Sequence, residues 1–141
     1  MYLSTTRNFV RACEREGVKY QDPYTTDSGK NVVVLGVNGS HGNSYDVKFL
    51  FDTDEKSVGV RVYRFSKANR DNFARLLLAC NDLNTKYRWL KFCIDDDRDL
   101  NIEIDAVIDS STAGSVCIEL FYRIMSIAKD AYPVIMKAQF G

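Results

Sequence analysis

The only histidine of the chain, His41, and the glycines around it are the first residues that could support chemistry. A loop with glycines such as Gly39 and Gly42 can cradle a phosphate when it leads directly into the N-terminus of a helix. Here the loop separates two predicted strands, so the pattern favours a hairpin turn with a solvated histidine. A Ser–His–Asp triad would have to use His41, and no serine stands in the G-x-S-x-G setting of a nucleophile. We predict no catalytic residue.

Carboxylates and thiols do not form a recognisable metal site. Asp95, Asp97 and Asp99 alternate as at the start of a calcium-binding loop. An EF-hand would also need a glycine and a bidentate glutamate farther on, where this chain has Leu100 and Ala106. The acidic turn is therefore expected to be solvated and to bond its own backbone, with weak cation binding left open. The cysteines lie far apart, lack zinc-site spacing and are predicted to be reduced thiols: Cys13, Cys80, Cys93 and Cys117. We expect neither a metal nor a cofactor.

The bulk composition limits the classes of protein to which the chain can belong. Nineteen basic and nineteen acidic residues give the 141-residue chain a net charge of zero, and 45% of its residues are hydrophobic. These values are typical of one globular domain, which we expect to span residues 1–141. Nucleic acid is a disfavoured partner because the chain lacks an excess of positive charge. The sequence lacks a secretory signal and an apolar run of about 18 residues, so we expect a cytoplasmic protein without membrane association.

The periodicity of apolar residues predicts an α+β fold, an antiparallel sheet with helices in the order α-βββ-α-ββ-α. Gly17 is expected to close the first helix, Asn84 to end the second, and Pro133 to kink or stop the third. The predicted helices span about residues 4–16, 66–84 and 110–132, and the predicted strands span 31–38, 44–51, 58–63, 87–94 and 100–108. Their expected N-caps are Ser4, Thr5 or Thr6, then Ser66, then Ser110, Ser111 or Thr112.

The last predicted helix carries more apolar surface than one helix face needs. One apolar stripe contains Cys117 and Ile124, and a second contains Ile118, Tyr122 and Met125. Such a helix is either central within its own domain or covers a second chain, and the sequence leaves both possibilities open. Tyr87 and Trp89 are expected to share a strand face with Lys91, which would form an aromatic contact surface. The candidate partner-binding residues are Tyr87, Trp89, Ile118, Tyr122 and Met125.

Three short motifs resemble those of the YbjN family, whose members are described as regulators of bacterial sensory transduction. They are a helix end with Asn81 and Asn84, a strand with the pair Lys91 and Phe92, and the acidic turn at residues 97–100. The similarity is strongest over about residues 58–109, and the order of elements extends it. The resemblance implies a fold shared with type III secretion chaperones, in a bacterial, non-catalytic domain that binds proteins, often as a homodimer.

The family supplies no catalytic residues to this chain, and Asn81 and Asn84 are expected to cap the end of their helix. One departure concerns the acidic turn. The family often has Asp-Gly there, whereas this chain has Asp97-Arg98-Asp99, which leaves the turn geometry open.

The function favoured by these observations is a protein-binding regulatory or chaperone-like module with a protein partner of unknown identity. A small-ligand-binding domain is the alternative, and it requires a concave pocket with converging polar groups. Weak nucleic-acid binding is a second alternative, because basic and aromatic residues interleave at residues 61–67 and 86–91.

Overall fold

A computed structural model describes all 141 residues and confirms the α+β class. The elements follow in the order α-β-β-β-β-α-β-β-α, which adds one strand to the predicted order. This extra strand has only two exposed residues, too few to produce a periodic pattern in the sequence. The elements are α1 (Ser4–Glu16), β1 (Tyr24–Thr25), β2 (Asn31–Asn38), β3 (Ser44–Phe51), β4 (Ser57–Lys67), α2 (Phe73–Lys86), β5 (Lys91–Ile94), β6 (Asp99–Val107) and α3 (Ala113–Phe140).

The six strands form one antiparallel sheet in the order β1-β2-β3-β4-β6-β5. Phe49 pairs with Val60, and Val60 pairs with Ile104 on its other side. Because side chains alternate between the two faces of a strand, this register places the predicted apolar positions of β3, β4 and β6 together. The sheet therefore has one apolar face, as the alternation in the sequence predicts.

The three helices join the apolar face of the sheet in a single hydrophobic core of 32 buried residues. The aromatic ring of Phe9 in α1 lies 4.5 Å from that of Phe49, and Phe121 in α3 lies 6.5 Å from Phe49 on the other side. The opposite face of the sheet carries charged side chains that pair with one another, including Arg61 with Asp105 at 2.9 Å. The helices thus cover one face, and on the other face these charged pairs lie in the same sheet as the buried Val32 and Val34 of β2.

Helix α3 lies at the centre of the helical layer, between α1 and α2. Most of its apolar side chains are buried by the same chain, which answers the question of whether the helix needs a second chain for cover. The buried residues of α3 are Ala113, Gly114, Cys117, Ile118, Leu120, Phe121, Ile124, Ile127, Ala128, Ala131 and Ile135.

Of the two effects expected of Pro133, a kink or a stop, the stop is wrong, because α3 continues through this residue to Phe140. A proline inside a helix costs about 3 kcal/mol, since it lacks the N–H group that bonds four residues back. Packing of the final turns offsets this cost: Ile135 is fully buried, and Arg75 Nε donates to the carbonyl of Ala138 at 2.9 Å. The missing N–H also leaves the carbonyl of Lys129 without its helical donor, and His41 Nε2 lies 3.1 Å from this oxygen.

The first helix is capped from distant parts of the chain and not by its own serine or threonines. No side-chain cap bond forms locally at Leu3, the N-cap residue. Instead, Asn31 Oδ1 accepts hydrogen bonds from Leu3 N and Thr6 Oγ1, both at 2.8 Å. Sequence spacing cannot reveal a cap that arrives from another strand. The closure of α1 at Gly17 is confirmed, and its φ of 70° is in the left-handed region that favours glycine.

The second helix does not begin at Ser66, which belongs to β4. Asn69 and Asn72 bond each other's backbone N–H groups through their side-chain oxygens, at 2.7 and 2.9 Å. This reciprocal pair performs the role of a capping box.

The N-terminus of α3 is held by a second reciprocal pair. Asp109 Oδ1 accepts from Thr112 N at 2.9 Å, and Thr112 Oγ1 accepts from Asp109 N at 2.9 Å. Of the three predicted caps, Thr112 is the N-cap residue, and Asp109 completes the bonding.

Gly114 allows α1 and α3 to approach closely. A Cβ atom at this position would lie 2.9 Å from Ala12 Cβ and 2.9 Å from the backbone oxygen of Asn8. The Gly114 N–H also donates to Asn8 Oδ1 at 2.6 Å. The position of α3 beside α1 thus depends on the absence of a side chain here.

We predict that Gly114→Ala lowers the free energy of unfolding by about 1–3 kcal/mol, because backbone atoms must shift to admit the methyl group. Urea denaturation measures this loss. Gly36→Ala is the matched control, since its Cβ would meet only Asp46 Oδ1 at 3.6 Å, an ordinary contact. Equal stability of the two variants would contradict the close approach.

Candidate partner-binding surface

Tyr87 and Trp89 lie in a short connection and not on a strand. Helix α2 extends to Lys86, and β5 begins only at Lys91, so residues 87–90 link the two elements. The predicted common strand face of Tyr87, Trp89 and Lys91 is therefore wrong. The physical reason is anchoring at both ends: Tyr87 N donates to Leu83 O at 2.8 Å, and Leu90 is buried in the core.

Asn84 holds this connection in place from inside α2. Its Oδ1 accepts from Phe92 N at 2.6 Å, and its Nδ2 donates to Phe92 O at 2.9 Å. The amide group thus contacts the outer edge of β5 as a peptide unit of another strand would. The expectation that Asn84 caps the end of its helix is wrong, since α2 continues to Lys86. Asn81 is exposed, and no hydrogen bond of its side chain is present.

Trp89 is 47% exposed and lies beside two arginines. The guanidinium carbon of Arg123 is 4.8 Å from the centre of its ring, and that of Arg88 is 5.6 Å away. Arg123 is oriented by an ion pair with Glu119 at 2.8 Å, the spacing of four residues that the sequence predicts. Cation–π contacts of this kind contribute about 0.5–1 kcal/mol at exposed sites.

Trp89 and Tyr122 are the candidate residues with large exposed side chains. Tyr122 is 42% exposed and follows Phe121 on α3, next to Arg123, which contacts Trp89. Ile118 is 8% exposed and packs in the core, so it offers little surface. Tyr87 is half-buried against the core, and Met125 borders a different groove, near Tyr45. We define the Trp89 surface as Arg88, Trp89, Glu119, Tyr122 and Arg123.

One carboxylate of the acidic turn pairs with neighbouring basic residues. Asp95, Asp97 and Asp99 come within 4.8 Å of one another. Asp99 is buried and pairs with Lys67 at 3.0 Å and with Arg64 at 3.3 Å.

Hydrogen bonds stabilise the charged form of Asp95 within this turn. The pKa of Asp95 is lowered by the amide of Asn101, whose Nδ2 donates at 2.8 Å, and by the backbone N–H groups of Asp99 and Asp97. The turn therefore bonds its own backbone, as the sequence predicts. Arg98 has a φ of 66°, the left-handed conformation that the glycine of an Asp-Gly turn would adopt without strain. The turn is thus retained although arginine replaces glycine.

The cysteine thiols are reduced and protonated, and none has the depressed pKa of a nucleophile. Burial raises the pKa of Cys13 to about 12 and that of Cys80 to about 11. The pKa of Cys93 also rises to about 11, through burial and a hydrogen bond from its thiol to Glu103 Oε2 at 3.0 Å. Burial raises the pKa of Cys117 as well.

His41 connects the β2–β3 loop to α3. Its ring stacks on Tyr132 at 5.5 Å, and Nε2 bonds the Lys129 carbonyl that Pro133 leaves free. Because a carbonyl only accepts, Nε2 must carry the proton. The residue is exposed, but its ring is held by these contacts, so the prediction of a freely solvated side chain is only partly correct.

The concavities of the chain are open surface grooves. The groove of about 330 Å³ between the β2–β3 loop and α3 contains Tyr45, Asn43 and Lys129. The groove of about 620 Å³ beside the acidic turn is lined mostly by charged residues. Small-ligand sites are usually enclosed and largely apolar, so these grooves give little support to the small-ligand alternative.

The sequence shows the family to which this α+β domain belongs. The YbjN family model, described as "Putative bacterial sensory transduction regulator", matches residues 11–136 of the 141. The chain therefore belongs to the YbjN family. No curated protein matches the sequence. No helix is long and apolar enough to cross a membrane.

Sequence reasoning missed three residues that shape the Trp89 surface. Arg123 is not among the predicted candidates, and Arg88 is included only in the basic-aromatic stretch at residues 86–91. The sequence predicts Asn84 as a helix cap, since no local pattern indicates its bonds to Phe92, which lies eight residues farther along the chain. The spacing of Glu119 and Arg123 was a usable signal, whereas contacts between α3 and the α2–β5 connection were not visible in the sequence.

We predict that Asn84→Ala lowers the free energy of unfolding by about 1–3 kcal/mol, because two partly buried backbone groups of Phe92 lose their partner. Urea denaturation measures the loss, and the emission of Trp89 reports any movement of the connection. Asn81→Ala is the matched control on the same helix, with an expected change within about 0.5 kcal/mol. A stable Asn84→Ala with unchanged emission would rule out this role for Asn84.

Proposed function

We propose that the chain is a non-catalytic regulatory module that binds a protein partner through the Trp89 surface. The observation that carries this proposal is the exposed Trp89, held beside Arg123 at 4.8 Å, with the exposed Tyr122 preceding Arg123 in α3. Tryptophan, tyrosine and arginine are the residues most enriched among those that dominate binding energy at protein interfaces. The regulatory description of the YbjN family supports the same function.

Ordered side chains make this surface suitable for binding. Glu119 fixes Arg123 through their ion pair at 2.8 Å, and Asn84 fixes the connection that carries Trp89. A partner would therefore find Trp89 and Arg123 already positioned, which reduces the entropy lost on association.

The edges of the sheet support side-chain recognition and not strand addition. Asn84 already occupies the N–H and carbonyl of Phe92 at the outer edge of β5. The opposite edge, β1, has only two residues. A peptide that adds a strand needs a longer row of free backbone groups than either edge offers.

The proposal is tested by affinity capture from cells that express the natural protein, with quantitative mass spectrometry. Three baits are compared: the wild type, Trp89→Ala with Tyr122→Ala, and Leu78→Ala as a control. Leu78 is an exposed apolar residue of α2 outside the Trp89 surface. We expect specific proteins to be retained by the wild type and the control, and to be reduced about tenfold or more on the double variant.

Circular dichroism and urea denaturation establish that all three baits are folded. If the double variant retains the same proteins in the same amounts as the wild type, the Trp89 surface is not the binding site, and the proposal fails.

A homodimer, which the family resemblance implies, is the second part of the proposal. Helix α3 does not require a second chain for cover, so a dimer would have to use residues that remain exposed, such as Tyr122 and Val134. Light scattering over a range of protein concentrations is expected to give twice the monomer mass of 16.1 kDa. A monomer mass that persists at the highest concentration would exclude the homodimer and leave the heterologous partner unaffected.

A further inference from the structure

The connection that presents Trp89 is positively charged in a chain whose net charge is zero. Lys86, Arg88 and Lys91 lie within six residues of sequence that contain no acidic residue. Lys86 Nζ lies 5.3 Å from the ring centre of Tyr87, and Arg88 lies 5.6 Å from that of Trp89. The aromatic rings therefore hold two of these cations at the surface.

Arg88 is the cation of this surface whose hydrogen-bonding groups are not used. Arg123 donates to Glu119, and Lys91 pairs with Glu103 at 3.6 Å. Arg88 is exposed, and its guanidinium makes no ion pair or hydrogen bond within the chain. A guanidinium offers five N–H donors in a fork that matches a carboxylate.

A groove of about 280 Å³ lies next to Arg88; Trp89, Leu90 and Ile104 line part of it, and Trp89 is the exposed one of the three. Its two acidic residues, Glu103 and Asp105, already form ion pairs with basic residues of the sheet. Asp105 pairs with Arg61 at 2.9 Å, and Glu103 is shared between Arg61 at 3.8 Å and Lys91. The uncompensated charge at the rim of this groove is therefore positive.

We infer that the partner segment bound at the Trp89 surface is acidic, with a carboxylate on the guanidinium of Arg88 and a neighbouring apolar side chain in the groove beside Trp89. This inference rests on the proposed function and adds the chemistry of the partner. A carboxylate on arginine forms a charge-assisted hydrogen bond, which is about twice as strong as a neutral one.

The same residues argue against a single-stranded nucleic acid at this surface. Nucleobases bind such proteins by stacking on the face of an aromatic ring. Arg123 and Arg88 both lie over the ring of Trp89, so guanidinium groups take the place that a base would need. A protein segment needs only the exposed part of the ring and the free donors of Arg88.

The test uses short fluorescein-labelled peptides in which glutamate and leucine alternate, with glutamine and lysine analogues in place of glutamate. Fluorescence anisotropy measures binding to the full chain. Because Trp89 is the only tryptophan, its emission reports binding of the unlabelled peptides directly at the site. We expect binding of the glutamate peptide only, accompanied by a change in Trp89 emission and weakened by added salt.

Arg88→Gln is expected to reduce affinity for the glutamate peptide about tenfold or more, since it removes a charge-assisted contact. Arg70→Gln is the matched control, because it removes the same charge from an exposed residue before the opposite end of α2. The inference is overturned if the glutamine peptide binds equally well, if both variants behave alike, or if a single-stranded oligonucleotide binds more tightly than the glutamate peptide.

The capture experiment separates this inference from the proposed function. Proteins lost from the Trp89→Ala, Tyr122→Ala bait should also be reduced on an Arg88→Gln bait. If they remain on Arg88→Gln, the acidic partner is wrong while the binding surface stands. If the double variant loses nothing, both proposals fail.

Discussion

The structure depends on how one apolar sheet face is covered. A six-stranded antiparallel sheet exposes more apolar surface than a short helix can bury, and the 28-residue helix α3 provides the central cover. Its approach to α1 requires Gly114, where a side chain would collide with Ala12 and Asn8. Because α3 is covered by α1, α2 and the sheet together, its unusually wide apolar surface is explained within one chain. The apolar excess that suggests an interface in the sequence is mostly a core.

The remaining parts of the sheet are closed to a partner in different ways. On the helix-free face, charged residues pair with one another, as Arg61 does with Asp105 and Glu103. At the β5 edge, the side chain of Asn84 takes the place of a neighbouring strand. Edges and faces of this kind protect a sheet from non-specific association. At the connection between α2 and β5, Trp89 remains 47% exposed beside Arg88 and Arg123, which is why the binding proposal centres there.

Local patterns in the sequence predicted the elements well and their ends less well. The alternation of β3, β4 and β6 and the closure of α1 at Gly17 follow from residue type and spacing alone. The errors arise where distant residues act. Asn31 caps α1 across 28 residues, and packing of Ile135 carries α3 past Pro133. For the candidate surface, Trp89 and Tyr122 could be selected from the sequence as exposed aromatics, but the contact of Arg123 with Trp89 depends on how α3 packs beside the α2–β5 connection.

Residue types that could support catalysis or metal binding make structural contacts in several parts of the chain. His41 bonds the carbonyl that Pro133 leaves free, Asp99 neutralises Arg64 and Lys67, and the thiols are held protonated by burial. The surface proposed for partner binding is assembled from two separate elements, the α2–β5 connection and α3. A partner that contacts both Trp89 and Tyr122 would link these elements, and it would stabilise the folded chain by an amount that rises with the logarithm of its concentration relative to its Kd. Binding and fold stability are therefore coupled at this surface, because the contacts that position Trp89 also join α2, β5 and α3 in the native structure.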